Sequence, residues 1–338
     1  MIRLGNRAEA LSDSFADFCR EHALVDRRSN VNRYWEYPWA YYHSRLRPGM
    51  RVLDAGAGYS PFLYHLAERV PGAEYHAADP GFRFQAPAQL AGVRTSERPL
   101  EELDYPDDHF DLVFCLSVLE HLRPQARTSA MRRMARCLRP GGRLVLTIDY
   151  FLDWPRWHAA RERERRMYAW LPGPNPDVAG LVADSGLELL DPGRTDPHPG
   201  SPGFDESRLD LGELWHSEHI GPGLRVLPIG VVLAKPLPDG VPLTVSAAAL
   251  HRRDNGEVLL GVHYGAGERQ RTQRYLLPPS ALDPAGFTAA QAAGWLSGGA
   301  EGHAVVEQAL RWGALRLLDP AAGGPTAYQP EKFVEFYR

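Results

Sequence analysis

The chain has 338 residues and a mass of 37.7 kDa, a length that suits two domains. Hydrophobic residues make up 44% and charged residues 24%, which excludes a disordered, collagenous or coiled-coil chain. A formal net charge of −4 gives no general electrostatic attraction for nucleic acid, and no partner of that kind is expected.

The longest clean apolar run, Val226 to Ala234, is broken by Pro228 and Gly230 and falls far below the roughly 20 residues of a membrane span. The stretch from Met1 to Phe15 has no apolar core of a secretory signal. Cys19, Cys115 and Cys137 have neither disulfide-framework nor metal-ligand spacing. A cytoplasmic, reduced, membrane-free protein without a metal is expected. Of the basic residues only Lys235 and Lys332 are lysines, which a GC-rich genome explains most simply.

In chain order, residues 10–24 carry Leu11, Phe15, Phe18 and Cys19 at helical spacing. An aromatic cluster follows: Tyr34, Trp35, Tyr37, Trp39, Tyr41 and Tyr42. From residue 51 short apolar runs alternate with helical segments. Strands are expected at 51–55, 74–78, 110–116 and 143–148, and helices at 61–69 and 126–138. Pro140-Gly141-Gly142 reads as the exit of the second helix. A helix at 181–185 and strands at 187–190 and 224–234 come next. This alternation implies an α/β, doubly wound parallel sheet. Pro236 to Gly240 reads as a linker. Beyond it, 243–251, 258–264 and 274–277 suggest an antiparallel meander, with Asp254-Asn255-Gly256 as a hairpin turn. Helices at 288–296 and 304–312 and a strand at 315–318 complete a small α+β domain.

The chemistry concentrates at Val52-Leu-Asp-Ala-Gly-Ala-Gly-Tyr-Ser60. A strand runs into a glycine turn and then a helix. Gly56 and Gly58 remove side chains where backbone approaches a ligand, and the helix start offers free N–H groups to negative groups. A bare glycine turn is the plainer reading of this segment alone. Asp79 ends the second strand, about 20 residues on, where an acidic side chain holds ribose hydroxyls. Pro61 stands where a dinucleotide fingerprint has its third glycine, which argues against a nicotinamide cofactor.

Three motifs in order, 52–58, Leu103 to His121 and Leu138 to Leu146, resemble the class I S-adenosylmethionine-dependent methyltransferases. The resemblance covers roughly residues 50–150. It implies a Rossmann-like seven-stranded sheet whose last strand is antiparallel, with the 187–190 and 224–234 strands as its final pair. It implies S-adenosyl-L-methionine as cofactor, with Ala55, Gly56 and Gly58 at its methionine end, Asp54 supporting the turn and Asp79 on the ribose. Leu100 and Glu101 fall near the adenine contact, although Pro99 stands where many relatives carry an acidic residue. Cys115, Leu116 and Ser117 would pass beside the reactive methyl; a buried core thiol is the favoured reading of Cys115.

Ligands of a doubly wound sheet sit at the carboxyl ends of its strands. That rule selects His121, as a general base or a structural cap, and Asp149, as an orienting group or a turn residue. Tyr150 and the segment 192–223, with His198, His216 and His219, lie on the same edge, as do Asp153, Trp154, Trp157, Tyr168 and Trp170. His216, Glu218 and His219 hint at a metal, but a solvated helix face is the simpler reading. Arg161 to Arg166 reads as an exposed helix. Tyr34, Trp35, Tyr37 and Trp39, in a lid of residues 1–50, would line an acceptor pocket or pack the N-terminal helix onto the sheet.

The domain plan is therefore a lid (1–50), a methyltransferase domain (51–236) and a small α+β domain (237–338) that dimerises, covers the pocket or docks a peptide. The expected activity is methyl transfer to an O or N nucleophile of a small molecule in specialised metabolism. The alternatives are a peptide or carrier-bound acceptor recruited by the C-terminal domain, and an inactive cofactor-binding scaffold.

Overall fold

The computed structural model describes residues 14–24, 33–58, 61–81, 92–151, 174–189, 215–216, 225–237, 240, 242–245, 249–264, 271–297, 301–302, 305–306, 309–310 and 314–318. The chain divides into two compact units, Met1–Pro236 and Leu237–Arg338.

The first unit opens with helix α1, described over 14–21, and α2 (Arg33–Ser44). Then follow β1 (Arg51–Ala55), α3 (Phe62–Arg69), β2 (Glu74–Ala78), β3 (Val93–Ser96), β4 (Phe110–Leu116), α4 (Pro124–Cys137) and β5 (Leu138–Phe151). It closes with α5 (Val178–Ser185), β6 (Glu188–Leu189), β7 (Trp215–His216) and β8 (Arg225–Ala234). The sheet order is β3-β2-β1-β4-β5-β8-β6, with the short β7 also paired to β8. Strands β1 to β5 are parallel and β8 runs antiparallel to β5. The order reverses beside β1, so the carboxyl ends of β1 and β4 flank a crevice.

Both faces of this sheet are covered, which is why its strands read as nearly continuous apolar runs. Alternate residues feed opposite layers. Leu53, Val113 and Cys115 join Met131, Met134 and Leu146 on one side. Val52, Leu112 and Phe114 join Phe62, Leu66 and Tyr37 on the other. Asp111 is the buried exception inside β4; it accepts the Arg51 N–H at 2.7 Å and pairs with Arg139. It thereby ties the starts of β1 and β5 to β4, and its burial is offset by those partners.

Helix ends follow local chemistry. Pro124 opens α4 at a position where no amide hydrogen is missed. Asp177 caps α5 through the Gly180 N–H at 3.1 Å, and Gly186 ends it in the left-handed region at φ +71°. The Pro140-Gly141-Gly142 turn departs from expectation. The helix ends at Cys137, and these residues already belong to β5, with a register shift opposite Phe110 and Leu112. There the Gly141 N–H donates to Lys235 O at 2.9 Å and the Lys235 N–H donates to Gly142 O at 3.0 Å. Strand β3 has no counterpart in the apolar pattern, because it lies on the sheet edge with two of its four residues exposed.

The second unit carries β9 (Leu243–Val245), β10 (Leu250–Arg252), β11 (Val258–Tyr264), β12 (Arg271–Leu277), α6 (Ala289–Leu296) and β13 (Leu315–Leu317). Strands β10, β11 and β12 form the antiparallel meander, turning at Asp254 to Gly256 with Gly256 at φ +86°. The expected first strand, 243–251, is two strands: β9 leaves the meander and pairs with β13. The alanine run between them has weak strand preference, so nothing local holds the two halves in one ladder. Thr288 and Gln291 form a reciprocal capping box at α6. Leu243, Leu260, Val262, Leu296 and Leu315 are the heart of a separate core.

Candidate functional site

The glycine turn after β1 is built by strain that only glycine relieves. Gly56 has φ +88° and Gly58 φ +52°. A Cβ on Gly56 would overlap the Val118 side chain, so this glycine also lets the segment after β4 approach. A Cβ on Gly58 would meet nothing closer than the Asp79 carboxylate at 3.9 Å, so Gly58 faces open space. The Gly56 and Ala57 N–H groups donate to Ala78 O, at 2.7 and 3.3 Å, which fixes the turn against the end of β2.

Asp79 stands where β2 ends. Its Oδ2 accepts the Gly58 N–H at 3.1 Å and its Oδ1 accepts the Gly81 N–H at 2.7 Å. Two backbone donors thus hold the carboxylate in place, and each oxygen retains a lone pair for a further donor. This arrangement fits the two vicinal hydroxyls of a ribose lying over a side-chain-free turn. Pro61 sits at the start of α3 and makes no side-chain cap. The N-cap position of that helix therefore lacks an amide hydrogen that a diphosphate could use. The residues present thus fit a single nucleoside with an amino-acid tail better than a dinucleotide. Asp54 lies buried in β1. Leu100 is buried core, and the half-buried Glu101 beside it keeps Oε2 inside with no hydrogen-bond partner among the described residues.

Across the crevice, at the carboxyl ends of β4 and β5, the polar groups belong to buried acids. Ser117 takes the left-handed region at φ +50°, uncommon for a non-glycine residue. Its N–H donates to Thr147 Oγ1 at 3.0 Å, and its hydroxyl donates a short hydrogen bond to Glu36. The Thr147 hydroxyl donates to the same Glu36 oxygen at 2.7 Å. Glu36 comes from α2 and is completely buried. One carboxylate therefore docks α2 over the ends of β4 and β5. Nearby, the Asp149 N–H donates to Glu120 Oε1 at 3.1 Å, while Glu120 Oε2 is buried with no hydrogen-bond partner among the described residues. Burial, then the neighbouring Asp149 and Glu36 charges, hold the Glu120 carboxyl well above the usual carboxylate range. The Cys115 thiol is likewise pushed far up by burial, by Glu120 and by Asp54, so it is a core thiol and no nucleophile.

The sequence-selected groups are thus brought to one edge, with different standing. Asp54, Ala55, Gly56, Gly58, Asp79, Leu116 and Ser117 line the ends of β1, β2 and β4. Asp149 and Tyr150 are half-buried at the end of β5. His121 is exposed on a 3-10 turn, its N–H donating to Val118 O at 2.9 Å. Tyr37 and Trp39 are core: Tyr37 stacks on Phe62 with centroids 4.4 Å apart, and Trp39 fills the space that Gly230 of β8 leaves for it. Tyr34 and Trp35 lie on α2, but their side chains, like that of His216 on β7, fall outside the described residues. So do His198, His219 and the expected positions between 152 and 173.

Glu36 and Glu120 are the two groups that sequence reasoning passed over. The available signal was an acid inside an apolar run: Glu120 follows Val118-Leu119, and Glu36 stands among aromatics. All three cysteines are buried free thiols. Among the described residues, Glu21, His22 and Glu68 are the group of acids and histidines whose ligand atoms come within 4.8 Å of one another; there His22 pairs with Glu68 at 3.1 Å, joining α1 to α3. No helix among the described residues is long and apolar enough to cross a membrane.

A family profile described as a methyltransferase domain matches residues 26–191. A demethylmenaquinone methyltransferase of Deinococcus radiodurans is 32% identical over 149 residues, covering 42% of this chain and 61% of its own length. A tRNA U34 carboxymethyltransferase of Syntrophotalea carbinolica is 36% identical over 118 residues, covering 32% of this chain and 35% of its own. The chain therefore spans less than two thirds of the length of these curated relatives. A solved structure of the YcgJ protein from Bacillus subtilis superposes with a TM-score of 0.44 at 17% identity, covering 60% of this chain and 99% of that one. Glycine turn, β2 acid, strand order with an antiparallel penultimate strand, and domain profile agree: residues 26–191 carry a methyltransferase domain of the class I S-adenosylmethionine-dependent family.

Proposed function

We propose that this protein transfers the methyl group of S-adenosylmethionine to an oxygen or nitrogen nucleophile of a small cytoplasmic molecule of specialised metabolism. The observation that carries the reading is Asp79, held by the Gly58 and Gly81 amides beside a glycine turn open to a ligand.

The cofactor supplies an already electrophilic methyl on a sulfonium. The chain's task is then alignment and exclusion of water. Asp79 fixes the ribose, the 55–58 backbone takes the amino-acid tail, and Leu100 packs beside the base. Glu36 holds α2 across the ends of β4 and β5, which supports residues 1–50 as a cover over the reaction. Asp149, at the end of β5, is placed to orient an acceptor, and the exposed His121 to carry a proton to solvent. Tyr34, Trp35, Tyr150, His216 and His219 remain proposed as acceptor contacts. Tyr37 and Trp39 serve this role indirectly, by seating α2. The exclusion of nucleic-acid acceptors rests on charge alone.

Calorimetric titration with S-adenosylmethionine, S-adenosylhomocysteine and NAD tests the reading. Micromolar binding of the first two and none of NAD is expected. Binding of NAD, or no binding of S-adenosylhomocysteine, would overturn it.

A further inference from the structure

Glu120 is 1% exposed, yet one of its two carboxyl oxygens has no hydrogen-bond partner among the described residues. A buried carboxyl oxygen left unmatched is costly, by several-fold more than an ordinary surface position, and is retained where something completes it. Its neighbours show what is missing. From β5, Asp149 gives its N–H to the other oxygen and turns a second carboxylate toward the same region. From α2 comes the fully buried Glu36. From β4 the Cys115 thiol lies within electrostatic reach of Glu120 and Asp54.

Among the described residues, the cation beside this turn is Arg127 on α4, and its hydrogen bonds to them all go to the backbone. It binds Leu119 O at 2.8 Å, Leu122 O at 2.9 Å, Pro174 O at 2.7 Å and Glu120 O at 3.3 Å, all backbone carbonyls. Arg127 thereby fixes the 119–122 turn that presents Glu120; it acts on the carboxyl through its charge and donates no hydrogen bond to it.

We propose that Glu120, with Asp149 beside it, is a specificity-determining residue that receives the ammonium group of the acceptor, so that the methylated nucleophile is an amine nitrogen. This rests on the methyl-transfer reading above and narrows it to one acceptor chemistry. An ammonium offers hydrogens to the orphan oxygen and positive charge to the acid pair. A neutral alcohol offers a hydrogen without charge, and a sulfonium charge without an N–H or O–H. In the empty site Glu120 carries a proton. On docking of an ammonium it releases that proton to solvent and stands as a carboxylate counter-ion. The amine must shed one proton to free its lone pair; Glu120 takes it and keeps it as product leaves, which restores the protonated empty site, so the one proton lost per turnover is the one released to solvent at docking.

The test is infrared difference spectroscopy of the full-length protein, following the carbonyl stretch of a protonated buried carboxylic acid. The probe is methylammonium chloride, with methanol and sodium chloride as controls, each with and without S-adenosylhomocysteine. The wild type is expected to show the band and to lose it on adding methylammonium, with or without S-adenosylhomocysteine, and to keep it with methanol or sodium. Glu120→Gln, folded by its thermal melt, is expected to lack the band and to bind methylammonium about tenfold or more weakly. A wild-type band that persists at saturating methylammonium, that methanol also removes, or that S-adenosylhomocysteine alone removes would overturn the proposal. So would a wild type with no band that the substitution deletes. Failure of S-adenosylhomocysteine to bind would sink the methyl-transfer reading instead, while the methylammonium arm without it still reports on Glu120.

Discussion

The two sides of the crevice treat their carboxylates in opposite ways. On the β1–β2 side, Asp79 lies at the surface of the turn and both oxygens accept backbone N–H groups. On the β4–β5 side, Glu36 and Glu120 are buried, and Glu120 keeps one oxygen unmatched. The first side is finished before a ligand arrives: its donors and acceptors are already aligned, and binding costs little rearrangement. The second side stores an unsatisfied buried oxygen, which a ligand of the right chemistry relieves. A fixed cofactor and a selected acceptor call for these different constructions.

The strongest way to break the first side is Gly56→Ala. A methyl group there must overlap Val118 and adopt φ +88°. Left-handed strain and overpacking together cost about 3–4 kcal/mol of stability. Denaturant unfolding should show that loss, and titration should show no cofactor binding at micromolar concentration. A near-wild-type protein would mean that the turn is not pre-formed.

The second side depends on how α2 is seated, and His43 reports on that. Its ring lies against Trp39 with centroids 4.5 Å apart, and its carbonyl accepts from Arg143 at 3.1 Å. Burial first, then Arg45 and Arg143, lower its pKa from 6.5 to about 4. The sign follows from proton linkage: the unfolded chain takes up a proton near pH 6.5 that the folded chain refuses until about pH 4. Stability is full above pH 6.5 and falls as pH drops toward 4, by about 3 kcal/mol at most. The Glu120 carboxyl works the other way. Its folded form holds a proton that the unfolded form releases, so it adds stability as pH falls. The difference between wild type and His43→Leu, measured by urea unfolding from pH 7.5 to 4, isolates the histidine. A flat difference would show that α2 is loosely seated.

The legibility of the chain follows the same division. The β1 turn, Asp79 and the order of β1, β4 and β5 were readable because each is encoded within a few residues of local pattern. A strand, two glycines and an acid at fixed spacing need no knowledge of distant packing. Glu36 and Glu120 were not readable as a site. Glu36 meets Ser117 across 81 positions and Thr147 across 111. The aromatic cluster drew attention to α2, but Tyr37 and Trp39 turn inward onto Phe62 and Gly230, and Glu36, just before them, meets the ends of β4 and β5. Strand β3 escaped because an edge strand with one apolar residue carries no periodicity to detect. In the second unit, β9 and β10 share one alternating pattern, and only the long-range pairing of β9 with β13 separates them.

The division of labour itself can be measured in one comparison. S-adenosylhomocysteine is titrated calorimetrically into wild type, Asp79→Ala and Glu120→Gln. Asp79→Ala is expected to lose about 1.5–3 kcal/mol of affinity, the worth of hydrogen bonds to a charged group, while Glu120→Gln stays within about twofold of wild type, near the 0.4 kcal/mol that such a ratio represents. Equal losses in both variants, or a loss confined to Glu120→Gln, would contradict the assignment of one side to the cofactor and the other to the acceptor.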